Sequence, residues 1–298
     1  MPYLVGYTAD RGGHEALALG RMLARSADES LIVCTILPET WGYPSPARVD
    51  AEYSAFLDRY ARRGLAKARA ALGTDVNADL VARSAPSAAD GLVATASDTG
   101  ATLIIAGSAR HGPLRRLTLG SVTGDLLQVA PVPVALAPRG YRPGPETRVQ
   151  RVTCAWVPTS GSEAALAASI ELCRHLRAPL RLATLVVRDR QMYPSGVGYD
   201  IENIVSNQWR AQAQEALQRA LGGLPSELAV SSAIGDGPDW RKALESLTWD
   251  SGELLIVGSS HRGPIARVLL GTGSTRIIRY SPVPVIVVPR GAAPAVVA

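Results

Sequence analysis

Leu103 to Gly140 reads LIIAGSARHGPLRRLTLGSVTGDLLQVAPVPVALAPRG, and Leu254 to Gly291 reads LLIVGSSHRGPIARVLLGTGSTRIIRYSPVPVIVVPRG. The two stretches align without a gap at an offset of 151 and are identical at 16 of 38 positions. Gly107 matches Gly258, Gly120 matches Gly271, and PVPV recurs at 131 and 282. An offset of half the chain signals a duplicated domain, not a short-period solenoid. Each copy holds an apolar strand, a glycine-rich loop, a helix and a second strand. That order sets a helix N-terminus beside a loop, an arrangement suited to phosphate.

The chain has 298 residues, which suggests two domains of about 150 residues each. Hydrophobic residues make up 47% and charged residues 19%, a globular balance. The expected domains are residues 1–140 and 150–291. Gly140, Pro143, Gly144 and Pro145 mark residues 139–150 as the linker. No apolar run approaches the ~18–20 residues of a membrane span. The start, MPYLVGYTAD, begins as a strand and lacks a basic segment followed by an apolar one. A soluble, cytoplasmic protein with no membrane partner is expected. Cys34, Cys154 and Cys173 sit in apolar segments without CxxC spacing, which argues for buried thiols rather than a disulfide framework or a zinc site. The four histidines are not spaced as metal ligands. Net charge is +5, almost all of it from arginine, since Lys67 and Lys242 are the only lysines. Apart from residues 59–63 and 110–116 the basic residues are dispersed, so no specific nucleic-acid partner is expected. The positive excess would favour anionic ligands.

The hydrophobic pattern predicts strands over 3–7, 31–37, 76–82, 103–106 and 132–135, with helices over 12–25, 47–72, 88–97 and 121–129. The second half repeats the order. Its strands are predicted over 152–157, 180–187, 228–233, 254–257 and 283–288, and its helices over 163–176, 201–221, 240–248 and 272–280. Residues 41–46 read as a proline-rich turn, 188–199 as a mobile loop and 292–298 as a frayed tail. This alternation defines an α/β fold of two tandem Rossmann-like domains. Each is a five-stranded parallel sheet with helices on both faces. In such sheets ligands sit at the carboxyl ends of strands beside the topological switch point, where the glycine loop lies.

The loop has a physical logic. Gly107 and Gly258 end a strand where the backbone turns sharply, and Gly112 and Gly263 relax the loop. Gly120 and Gly271 precede a helix, where a small residue lets backbone N–H groups approach a phosphate. Ser121, Thr123, Thr272 and Ser274 can add hydroxyl donors or cap the helix. The same residues would also serve a plain strand–loop–helix turn. Together the two halves resemble a tandem universal stress protein over nearly their whole length. That family's signature is G-2x-G-9x-G-[S/T], followed by a helix and a final strand of the PVPVLVV kind. The chain matches it at Gly107, Arg110 and Gly120-Ser121, and at Gly258, His261 and Gly271-Thr272. Arg110 and His261 stand where the family has its second glycine, and Gly112 and Gly263 follow two residues later.

The resemblance implies the adenine nucleotide alpha hydrolase-like version of the fold. It implies ATP or a related adenine nucleotide as ligand, with Mg when bound, and otherwise no cofactor. The implied phosphate-side residues are Gly107, Arg110, Gly112, Gly120, Ser121, Val122 and Thr123, and in the second half Gly258, His261, Gly263, Gly271, Thr272, Gly273 and Ser274. It places Ile36 and Leu185 where family members set backbone groups against adenine. Similar tandem proteins pair their final strands within or between chains. A pseudo-dimer of the halves, or a homodimer, is expected here, because 132–134 and 283–285 are short, proline-containing edges. The protein partner is unknown.

Two departures bear on function. Nucleotide-binding members share a turn of the form [V/A]YDGS whose Asp contacts the nucleoside. GYTADRGGHEAL puts Thr8 at that position, with Asp10 two residues on, and AWVPTSGSEAAL puts Val157 there, followed by Pro158. No catalytic constellation is visible either: Asp and Glu are absent from 107–124 and 258–275, so nothing supplies a base. The five tryptophans, Trp41, Trp156, Trp209, Trp240 and Trp249, read as scattered packing residues. The leading reading is a non-enzymatic stress-response regulatory protein that binds ATP or a related adenine nucleotide, with the first half as the better site. The alternative is a nucleotide-free interaction and signalling module with degenerate sites. A slow nucleotide hydrolase is a third, weaker option.

Overall fold

A computed structural model describes residues 1–39, 49–109, 114, 116–188, 199–259 and 272–289. The chain divides into two compact units, Met1–Arg148 and Val149–Ala298. The first contains β1 (Tyr3–Gly6), α1 (Arg11–Ala27), β2 (Leu31–Pro38), α2 (Val49–Leu72), β3 (Ala78–Ala85), α3 (Ala88–Thr99), β4 (Leu103–Gly107), α4 (Ser121–Val129) and β5 (Val134–Ala137). The second contains β6 (Arg151–Ala155), α5 (Ser160–Leu176), β7 (Leu180–Val187), α6 (Tyr199–Gly222), β8 (Val230–Gly237), α7 (Trp240–Glu245), β9 (Glu253–Gly258), α8 (Thr272–Tyr280) and β10 (Val285–Val288).

Within the first unit the strands run parallel in the order β3-β2-β1-β4-β5. Within the second the order is β8-β7-β6-β9-β10, again parallel. This is the α/β architecture expected from the repeat. The order reverses direction at β1 and at β6, the switch points where such sheets bind ligands. The central strands β1 and β4 of the first unit carry no charged residue because both faces are covered. In β1, Leu4 and Val5 are fully buried. A Cβ on Gly6 would meet Leu92 of α3, whereas Val5 packs against Gly20 of α1. Successive residues point to opposite faces of a strand, so α1 and α3 cover opposite faces of the sheet.

The final strands begin two residues later than the pattern predicts. Pro133 and Pro284 have no N–H to donate to a ladder and contribute only carbonyls, which accept from Ile104 N (3.0 Å) and Leu255 N (2.9 Å). The outer strands β3 and β8 run longer than their own apolar pattern suggests. Pairing along the full length of β2 and of β7 extends them. Helix α7 stops at Glu245 rather than 248, where Ser246 Oγ accepts from Asp236 N (2.9 Å) and donates to Ala243 O (2.8 Å). The turn at 41–46, most of the insert at 188–199 and the tail at 292–298 lie outside the described residues.

The second unit buries an ionic network at the amino end of its sheet. Glu253 is fully buried, and accepts from Arg181 Nη2 (2.6 Å), Arg151 Nη2 (2.8 Å), Asp250 N (3.1 Å) and the Thr153 hydroxyl. Arg181 also donates to Thr153 Oγ1 and Thr248 O and lies 4.9 Å over the Trp249 ring. Burial lowers its guanidinium, opposed by the charge of Glu253.

The segment after β5 is fastened to α1 rather than hanging free. Gly140 N donates to the buried Glu15 carboxylate, Tyr141 Oη lies 3.0 Å from Met22 Sδ, and Arg25 pairs with Glu146. Gly140 has φ +78°, a left-handed conformation suited to glycine. Burial raises the Glu15 carboxyl above its ordinary value of 4.5, against the opposing effects of the Gly140 N–H and the Arg139 and Arg142 charges. A raised folded value favours the protonated form in the folded state. Its stabilising contribution is therefore complete below the ordinary value and is lost as pH rises through the raised one. Glu15→Gln keeps an acceptor for Gly140 N but cannot ionise. It is expected to be more stable than wild type at pH 7, with the gap closing toward pH 4.5. Urea unfolding at several pH values checks this, and a gap that widens in acid would refute it.

Candidate nucleotide cleft

The carboxyl ends of β1, β2 and β4 frame a cleft of about 350 Å³ in the first unit, within the ~300–1,000 Å³ typical of small-molecule sites. Its floor depends on glycines. A Cβ on Gly107 would fall 1.9 Å from Gly12 O, and one on Gly13 would fall 1.9 Å from Thr8 O. No side chain fits either place, so the β1–α1 turn lies directly against the end of β4.

That turn is fixed by Asp10, the N-cap of α1. Its Oδ1 accepts from Gly13 N (2.9 Å) and from Thr8 Oγ1 (2.8 Å). The position that the sequence offered as a replacement carboxylate is therefore committed to capping a helix, while still lining the cleft. Across from it, the base of the β4–α4 loop is closed by Ser108 and Thr118. Thr118 N donates to Ser108 Oγ (2.8 Å), and Ala109 N donates to Thr118 O (2.8 Å).

Helix α4 begins at its N-cap Gly120, which has φ −83° and ψ 176° and supplies no side-chain cap. Helix N-termini leave N–H groups without intrahelical partners, and here they open onto the cleft, with Ser121 and Val122 exposed beside them. The Thr123 hydroxyl turns inward and donates to Gly107 O (3.3 Å). Ser274 does the same to Gly258 O (2.9 Å) in the second unit. These two hydroxyls tie the helix to the end of the preceding strand.

Of the residues singled out in the sequence, the first unit brings Thr8, Asp10, Ile36, Gly107, Gly120, Ser121, Val122 and Thr123 to one cleft. Arg110 and Gly112 lie outside the described residues, as do His261, Gly263 and Gly271; Thr272 starts α8. In the second unit Gly258, Gly273 and Ser274 sit at the β9–α8 junction. Leu185 lines a cavity of about 410 Å³ in the second unit with Pro158, Trp209 and Trp240. Sequence reasoning missed Ala88 and Leu92, which wall the first cleft from α3, and Trp240, the counterpart of Ala88 in the second unit. The signal was present in the helix starts, because Ser87 and Asp239 cap α3 and α7 in the same way. Among the described residues no helix is long and apolar enough to cross a membrane, and no three His, Cys, Asp or Glu side chains gather to hold a metal ion.

Each unit is a five-stranded parallel α/β sheet, the first with a glycine-floored cleft, and comparison with known proteins places this class of fold. The universal stress protein family model matches residues 2–138 and 149–289. A universal stress protein of Mycobacterium tuberculosis is 39% identical over 295 residues, covering 97% of this chain and all of the relative; one from Mycobacterium bovis matches equally. The chain belongs to the universal stress protein family and carries two of its domains. A crystal structure of a universal stress protein from Archaeoglobus fulgidus superposes with TM-score 0.61 at 17% identity, covering 97% of this chain and 98% of that one. A second, of a putative universal stress protein from Pseudomonas aeruginosa, gives TM-score 0.54 at 14% identity, covering 97% and 92%. At these identities the likeness concerns the fold alone.

Proposed function

We propose that the protein is a non-enzymatic regulatory member of its family that binds ATP or a related adenine nucleotide in the cleft of the first unit. The observation that carries this is the uncapped N-terminus of α4 opening onto a cleft whose floor admits only glycine. Phosphate oxygens suit that end, where backbone N–H groups and the helix dipole favour negative charge. The fit is good for the phosphates. It is weaker for the nucleoside, because Thr8 replaces the family's Asp and Asp10 is spent on the helix cap. Ile36 and Leu92 give the other wall an apolar surface against which a base can lie. For Mg the cleft offers Asp10 alone among its lining carboxylates, so phosphate oxygens and water would supply the other ligands.

Binding without turnover fits the residues around the phosphate end. Hydrolysis needs a base near an oriented water. Asp10 is engaged, and Asp125 is exposed on α4. Any ATP turnover is expected far below ~1 per second. The occupied cleft would then act by changing which conformation or partner the protein favours.

Mass spectrometry of small molecules released on denaturing the purified full chain, after incubation with ATP and desalting, tests the assignment. An adenine nucleotide is expected at close to one per chain. Recovery of none, with no binding at millimolar ATP, would favour the alternative, an interaction module with degenerate sites. The loss of the turn carboxylate from both halves favours that second reading.

A further inference from the structure

We propose that the exposed flank of α2 is a docking surface for an acidic amphipathic helix of a partner protein. This goes beyond the nucleotide reading and does not depend on it. The helix buries small residues and exposes large ones. Ala61, Gly64, Ala68 and Leu72 are buried, and a Cβ on Gly64 would lie 3.7 Å from Ala9 of the β1–α1 turn. Tyr53, Phe56 and Tyr60 are 45%, 55% and 44% exposed, and among the described residues they are the exposed large aromatic side chains. Phe56 is the single phenylalanine of the chain, and the fold keeps it out of the core.

Spacing and charge select the partner. Residues three and four apart are neighbours on a helix. Tyr53, Phe56, Tyr60, Arg63 and Lys67, all exposed, therefore form one row in alternating steps of three and four. That is the seam spacing with which one helix packs along another. The aromatic half offers apolar anchors of the kind used in helix recognition, and an exposed apolar patch beside charge marks an interaction site. The other half is basic. From Arg59 to Ala70 there are five basic residues and no acidic one, and Arg59, Arg62, Arg63 and Lys67 are exposed. The complement is a helix with apolar residues against 53–60 and Asp or Glu against 59–67. A second copy of α2 would bring the same positive charge and be repelled. Single-stranded nucleic acid also combines aromatics with basic residues, but in a groove that tracks its backbone, whereas this row lies on the convex face of one helix. The repeat does not require the row. Helix α6 has the same length, 24 residues, yet over 207–222 it carries Trp209 as its single aromatic, with two basic residues and one acidic.

The test uses the full chain and three fluorescent probes. One is a two-heptad helical peptide with Leu in its seam and Glu on its flanks. The second has Lys in place of Glu, and the third is a single-stranded DNA oligonucleotide. Fluorescence anisotropy should show the Glu peptide binding about tenfold or more tighter than either of the others. Phe56→Ser should weaken the Glu peptide by about tenfold, and Arg63→Glu combined with Lys67→Glu should reverse the order of the two peptides. These side chains are exposed, so thermal unfolding should be unchanged; Tyr60→Ser serves if Phe56→Ser fails to fold. Equal affinity for the two peptides, tighter binding of DNA, or wild-type affinity in the folded serine variant would each overturn the proposal. A dimer in sedimentation that the serine variant disperses would assign the surface to a second copy and overturn it too.

Discussion

Glu253→Ala is expected to destabilise the second unit by about 3–5 kcal/mol, the range for removing one partner of a buried ion pair. Glu253 is fully buried and Arg181 nearly so. Truncation would leave the Arg181 guanidinium beneath Trp249 without its counter-charge, and would also remove acceptors from Arg151, Thr153 and Asp250 N. Burial already works against the charged form of Arg181, so little is left to offset the loss. Glu253→Gln keeps the shape and some hydrogen bonds and should cost less than the alanine change. Thermal or urea unfolding would show this as a shift confined to the transition that reports on residues 149–289. A change below about 1 kcal/mol, the scale of a surface substitution, would show that the network is not a coupled unit. Because the network lies in the second unit and the proposed cleft in the first, ATP binding by the folded variant should be unchanged.

Gly120→Leu is expected to reduce ATP affinity by about a hundredfold or more while leaving stability within about 1 kcal/mol. The backbone at Gly120 is extended, at φ −83°, which any residue adopts. Among the described residues a Cβ there meets Ala109, at 3.3 Å from its Cβ and 3.8 Å from its Cα. The fold can accommodate the substitution, but the longer side chain would occupy the space above the α4 N-terminus. Gly107 would be a poor probe of the same idea. Its Cβ would strike Gly12 O at 1.9 Å, so any loss of binding would be mixed with a shifted turn and overpacking of about 1–3 kcal/mol. Leucine at Gly271 should leave binding unchanged.

The repeat around LIIAGS and LLIVGS made the fold legible, since strand, glycine loop and helix recur in register and the α4 and α8 bounds follow from Gly-Ser and Gly-Thr. Strand ends were less legible. Prolines 133 and 284 withhold donors yet lend carbonyls, and β3 and β8 are lengthened by partners distant in sequence. The cleft was visible as a set of glycines, but the roles of its polar residues were not. Asp10 looked like a spare carboxylate and is a helix cap. Thr123 and Ser274 read as hydroxyl donors or helix caps, and each donates to a strand-end carbonyl. Trp240 looked like one of five scattered packing residues. Its position after the Asp239 cap matches that of Ala88 after Ser87, and it lines a cavity with Leu185.

Isothermal titration of ATP into the purified full chain, with Gly120→Leu run alongside, tests the central claim most directly. A single site in wild type that is lost in Gly120→Leu, with the variant folded as wild type, is the predicted result. No binding by wild type, or equal binding by both proteins, would contradict it.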